Sequence, residues 1–139
     1  MDQGQKLKEY MLKEIEIIQD IIKRMAFNSF MIKGWAITLI VITLLIKQAT
    51  SQIWIAFIPL LSFWFLDAYF LWQERMYRKL YDWVRQNRLK TEEYLFDMDA
   101  YRFKKEVAPR LKVMFSITLS WFYLSIAFLI LVYAFLVRQ

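Results

Sequence analysis

Hydrophobic and polar positions change rhythm several times along the chain, and each rhythm predicts an element. From Gln3 to Met25 the apolar residues Met11, Ile15, Ile18, Ile22 and Met25 recur at spacings of four, three, four and three, with Ile17 and Ile21 widening the stripe. That is the a/d seam of an amphipathic helix. The remaining positions mix Lys8, Lys13 and Lys23 with Glu9, Glu14, Glu16 and Asp20, too acidic a set for a helix selected to lie on anionic lipid. The seam is expected to pack on protein, either on this chain's own helices or on a second copy as an oligomer seam, and so short a heptad run leaves both open.

The rhythm then gives way to a continuous apolar run at 27–46, FNSFMIKGWAITLIVITLLI. It reaches the roughly 20 residues a bilayer core requires only by including Asn28 and Lys33. After the short connection KQATSQ (Lys47 to Gln52) comes a second run at 53–73, apolar except for Asp67. So short a connection returns the second span antiparallel beside the first. Thr50 is the turning point of this hairpin, and Lys33 and Asp67 are equally distant from it along the chain. Both therefore fall at one depth, roughly 10 Å inside the cytoplasmic boundary at a helical rise of 1.5 Å per residue. A charge in lipid is costly and is retained for a reason. The two are expected to form an ion pair, serving as a gate or a structural lock; if they face apart, Lys33 snorkels and Asp67 finds another partner. Pro59, in the outer third of the span, is expected to kink it.

Helical period continues past the second span through Met76, Tyr77, Leu80, Tyr81 and Val84, with Arg75, Arg78, Lys79 and Arg85 largely on the opposite side. The next break is at 87–91, where Thr91 before Glu92 and Glu93 has the form of a helix N-cap. A short amphipathic element, EYLFDMDAYRF, is expected to follow, completing a cytoplasmic helical segment at 74–110. The third span, 111–137, has Pro109 in its first turn. Ser116, Ser120, Tyr123 and Ala127 form a small and polar stripe along it, read either as close helix packing or as the lining of a pore.

The predicted fold is thus an all-α membrane protein: three transmembrane helices in a single membrane domain, an N-terminal amphipathic helix, and a cytoplasmic extension of the second span. Charge sets the orientation. Residues 73–112 carry eleven Lys or Arg and residues 1–33 carry six, against one each in the 47–52 loop and the C-terminal tail. The positive-inside rule then places the N-terminus and the middle segment in the cytoplasm and the C-terminus outside. Because the first 24 residues are charged throughout, the first span is expected to serve as its own insertion signal.

Composition narrows the chemistry. The chain has neither cysteine nor histidine, which removes thiol nucleophiles, imidazole bases and the usual zinc ligands. Asp97 and Asp99 lack further ligands nearby, and no glycine-rich phosphate loop or nucleophile elbow is present. No catalytic residue, metal site or cofactor is expected. The net charge of +6 points to anionic partners: membrane lipid headgroups, a nucleotide or an oligonucleotide. Arg75, Arg78, Lys79, Arg85 and Arg88, interleaved with Tyr77, Tyr81 and Trp83, have the composition of a surface that grips phosphates and stacks bases. The same residues also serve membrane orientation and the interfacial belt.

Three stretches, RMAFNSFMIKGWAITL, FWFLDAYFLWQERMYRKLYDWVR and EYLFDMDAYRF, resemble the small bacterial inner-membrane effectors of anti-phage defence, those of the Hailong type. The resemblance covers about residues 22 to 103. It implies a homo-oligomeric ion channel whose basic cytoplasmic vestibule binds a nucleotide or oligonucleotide made by a nucleotidyltransferase encoded nearby. A non-conducting membrane scaffold docking a partner protein, or a holin-like lesion former, stands beside it as the alternative.

Overall fold

The structure, a computed structural model, describes residues 3–46 and 50–138, and there the protein is all-helical, with no strand among the described residues. Helix α1 spans Gln3–Ile46, a 3-10 segment runs Thr50–Ala56, and α2 spans Phe57–Asn87. A 3-10 turn at Ala100–Phe103 precedes α3, Arg110–Met114, and α4, Ile117–Arg138. Among the described residues three helices are long and apolar enough to cross a membrane: α1, α2 and α4. Part of the Lys47 to Gln52 connection, Lys47 through Ala49, lies outside the described residues.

The amphipathic helix and the first apolar run are one unbroken helix, because neither glycine nor proline falls between Met25 and Phe27. Pro59 produces no break in α2. It is the third residue of that helix, where its missing N–H belongs to the first turn and would have no intrahelical partner in any case. The third apolar run, by contrast, is interrupted. Met114 ends α3, and the amide of Ser116 turns back to the Val113 carbonyl at 3.0 Å. The Met114 carbonyl accepts the Trp64 indole N–H at 2.9 Å, so a side chain of α2 takes an acceptor at the end of α3.

The chain forms two compact units, and α1 and α2 contribute to both. One is built from α1 up to Phe27 together with Leu71–Ala108. Its buried residues are Leu7 and Ile18 of α1, Trp72, Met76, Leu80 and Val84 of α2, and Ala100 and Phe103 of the 3-10 turn. The other comprises Asn28–Phe70 and the chain from Pro109 onward. There Ile32, Ala36 and Ile40 of α1, Leu60, Trp64 and Ala68 of α2, and Leu119, Tyr123 and Ile130 of α4 are buried, spaced as one stripe per helix. The opposite sides of these helices expose large apolar residues, among them Phe30, Leu45, Ile58, Trp121 and Leu136.

The segment expected as a short helix after Thr91 is not helical. Thr91 Oγ1 accepts the Glu93 amide at 3.1 Å, but Tyr94 and Phe96 then adopt positive φ of 53° and 55°, which ends any right-handed helix. Asp99 caps the 3-10 turn that follows, accepting the Tyr101 amide at 2.9 Å.

Candidate functional site

Two polar clusters and one basic pocket hold the chemistry of the chain. In the unit containing the apolar hairpin, Asp67 is fully buried. Lys33 Nζ lies 2.5 Å from Asp67 Oδ2, and Ser29, one turn before Lys33, donates its hydroxyl to Asp67 Oδ1. Lys33 also donates to Ser29 Oγ at 2.8 Å. From α4, Tyr123 Oη stands 3.1 Å from Asp67 Oδ2 and 3.2 Å from the Phe63 carbonyl. The Phe122 ring lies 5.8 Å from the ammonium, and the Tyr123 ring stacks on Trp64. One carboxylate thus ties three helices together. A buried charge is tolerated only when paired and hydrogen-bonded, and both Asp67 oxygens have donors.

Of the proposed pore or packing stripe, Tyr123 is fully buried while Ser116 and Ser120 are half-buried. Tyr123 packs within the chain, Ser120 lines a groove with Phe115, Trp121 and Leu124, and Ser116 falls at the break before α4. The Ser116 hydroxyl is buried without a hydrogen-bond partner among the described residues.

In the other unit the central pair is Glu14 with Arg88, both fully buried. Glu14 Oε2 meets Arg88 Nε at 2.5 Å and Oε1 meets Nη2 at 2.9 Å, a side-on bidentate contact. Arg88 then donates to the carbonyls of Thr91, Glu93 and Tyr94 at 2.9, 2.8 and 3.0 Å. All five guanidinium N–H groups are used. The Phe96 amide donates to Glu14 Oε1 at 2.8 Å. The loop is therefore wound around the ion pair, and these bonds hold Tyr94 and Phe96 in the left-handed region that costs an ordinary residue about 1–2 kcal/mol.

Two expectations change here. Arg88 is not a ligand-binding surface residue: its charge and every donor are consumed inside the unit. Glu14 does not belong to the polar face of α1. It falls three residues after Met11 and four before Ile18, on the seam itself. Along that seam Ile18 is fully buried within the chain, while Met11, Ile15, Ile22 and Met25 are half-buried.

The remaining basic residues divide. Arg75, Arg78 and Lys79 line a shallow pocket of about 290 Å³ with Asp82, Glu106, Val107 and Ala108. Arg78 is bridged to Glu74 at 2.7 Å, and Lys79 lies 3.9 Å from Glu106, so the pocket is basic but partly neutralised. Arg85 is exposed further along α2. Sequence reasoning missed Arg102, whose guanidinium carbon lies 4.1 Å from the Tyr94 ring and 5.2 Å from the Trp83 ring, where cation–π attraction compensates a buried Nη2 with no hydrogen-bond partner among the described residues. Burial pushes the Tyr77 phenol above its ordinary range, against a smaller opposing pull from Arg24. The mutual hydrogen bond of Lys13 and Glu16, 2.8 Å long, raises the ammonium and lowers the carboxyl. No group of three or more Asp or Glu side chains among the described residues is arranged to hold a metal.

Comparison with known proteins gives no matching family model, no matching curated protein and no matching solved structure.

Proposed function

We propose that the chain is a subunit of a homo-oligomeric ion channel in the bacterial inner membrane, gated by a nucleotide or oligonucleotide and acting in anti-phage defence. In this reading the N-terminus and the Arg75–Lys79 surface face the cytoplasm and the C-terminus lies outside. The observation that carries it is the pocket of about 290 Å³ lined by Arg75, Arg78 and Lys79 and open to solvent, on the same helix that carries Asp67. Three spans are too few to enclose a wide pore, so conduction requires several copies. The defence setting is supported by the likeness of the three stretches around Lys33, Asp67 and Tyr94 to effectors of that kind.

One observation favours a second reading, a non-conducting scaffold: Asp67 is saturated by Lys33, Ser29 and Tyr123, which suits a lock as well as a gate. Planar-bilayer recording from purified protein separates the two. Current that responds to added oligonucleotide supports the channel, and silence under all oligonucleotides supports the scaffold. Current or killing without any ligand dependence points to a lesion former. Arg75→Glu with Arg78→Glu should abolish oligonucleotide binding, measured at fixed salt because phosphate contacts are salt-dependent.

A further inference from the structure

The break at Phe115 and Ser116 shapes a groove on the outward side of α4. It is lined by Phe115, Ile117, Ser120, Trp121, Leu124 and Phe128 and has a volume of about 520 Å³. Phe115 stands outside α4, one residue past the end of α3, and its ring meets Trp64 edge-on with 5.6 Å between centroids. One wall of the groove is therefore held by α2 rather than carried on a free side chain. Ile117, Trp121, Leu124 and Phe128 recur at spacings of four, three and four, forming one ridge of α4. All four are exposed, and the small Ser120 beside them leaves the hollow.

The depth of this groove in a bilayer follows from the Asp67 cluster. Asp67 lies about 10 Å inside the membrane boundary by its place in the second span, and Tyr123 meets it from α4. Counting from Tyr123 at about 1.5 Å per residue, Phe115 falls at that boundary and Phe128 about 18 Å inside it. One leaflet of the hydrocarbon core is about 15 Å deep. The groove thus ends at the depth where a lipid chain ends, whereas a span of a second copy runs on through both leaflets. By the same count Lys112 falls about 6 Å outside the boundary, within the headgroup layer. It is exposed and makes no ion pair among the described residues, while Arg110 is stacked over the Tyr69 ring at 5.5 Å. The apolar runs of a second copy bring no anion to meet Lys112, because their one carboxylate, Asp67, is bonded to Lys33, Ser29 and Tyr123 of its own chain.

We infer that this groove is a binding site for an anionic phospholipid, with one acyl chain lying along α4 from Phe115 to Phe128 and the headgroup on the Lys112 ammonium. An unpaired cation at headgroup level favours anionic over zwitterionic lipid, because a zwitterionic headgroup brings an ammonium of its own to the same place. The site rests on α1, α2 and α4 being spans of a bilayer, and not on conduction or nucleotide binding. It also gives lipid composition a hold on the helix break, since the bound chain leans on Phe115, and Phe115 on the Trp64 indole that takes the Met114 carbonyl.

Bromine quenches tryptophan on contact, and Trp121, 76% exposed in the groove, is the reporter. The full-length protein and its Trp121→Phe variant are reconstituted in phosphatidylcholine vesicles containing a small, equal fraction of either phosphatidylglycerol or phosphatidylcholine brominated at mid-chain. The difference between the two proteins isolates Trp121 from the other five tryptophans. Trp121 should be quenched severalfold more by the brominated phosphatidylglycerol. Lys112→Gln, which removes the cation, and Ser120→Phe, which fills the groove, should each bring the two lipids to parity. Equal quenching by both lipids in the parent overturns the site, as does a preference that survives either variant. Trp121 shielded from both lipids overturns it in favour of a protein occupant. Each of these failures leaves the channel reading standing, whereas a chain that does not float with the vesicles overturns both.

Discussion

Glu14 and Arg88 are separated by 74 positions in the chain and meet as a buried, side-on ion pair whose nearest contact is 2.5 Å. Arg88 also serves three loop carbonyls and Glu14 a loop amide, so the pair is the framework of the loop as well as a bond between helices. Arg88→Met is expected to cost about 3–5 kcal/mol, as for other buried pairs broken on one side. Making the pair apolar, Glu14→Leu with Arg88→Met, should not recover that loss, because the carbonyls of Thr91, Glu93 and Tyr94 would lose their donor. Chemical denaturation in detergent, following the tryptophan signal, checks both.

The cluster at Asp67 behaves oppositely, because the donors that answer its carboxylate are all side chains. Lys33→Met alone leaves a buried carboxylate with two hydroxyl donors and should destabilise strongly. The fourfold change Ser29→Ala, Lys33→Met, Asp67→Leu and Tyr123→Phe removes every member together and should restore thermal stability close to the parent. Tyr123→Phe alone is expected to cost about 1.5–3 kcal/mol, the range for a hydrogen bond to a charged group. A melting series in detergent across these variants decides whether the cluster is a lock, and bilayer recording on the fourfold variant decides whether it is also a gate.

Much of this cluster was legible in the sequence, and the reason is geometric. Two spans joined by a short connection force residues at equal distance from the turn to one depth, which puts Lys33 at the level of Asp67 and leaves only their rotation about the helix axes to the packing. Ser29 was not singled out, although its place one helical turn before Lys33 puts it on the same side of α1. The contribution of Tyr123 was not legible, because the rotation of α4 about its axis depends on packing that no single helix reveals. The same holds for the break at Phe115 and Ser116, which depends on the Trp64 indole reaching Met114. Glu14 could have been recognised from its place between Met11 and Ile18; its charge suggested the solvent face, and position outweighed charge. Arg88 could not, because its burial depends on left-handed residues at 94 and 96 that ordinary aromatics do not announce.

Those left-handed residues give a third expectation. Phe96→Leu and Phe96→Ile remove the same ring and keep similar apolar volume, but a β-branched side chain is disfavoured at positive φ. The isoleucine variant should be less stable than the leucine variant by about 1 kcal/mol, within the left-handed penalty. Equal melting midpoints would mean that the loop relaxes out of this conformation.

A fourth concerns the helix break. Trp64→Phe keeps most of the aromatic packing against Phe115 and Tyr123 but removes the donor to Met114. It should cost about 1 kcal/mol and speed amide exchange in α3 and the first turn of α4, with little change near Glu14. Exchange read by mass spectrometry on peptides spanning 110–120 checks it.

The Phe96 amide bonds to the Glu14 carboxylate, and this makes it a clock. Deuterium enters at that nitrogen only when the carboxylate lets go, so its exchange rate counts separations of α1 from the loop rather than fraying of any helix. A single backbone position thereby offers a label-free record of how often the Glu14–Arg88 joint opens, and of whether an added anion changes that frequency.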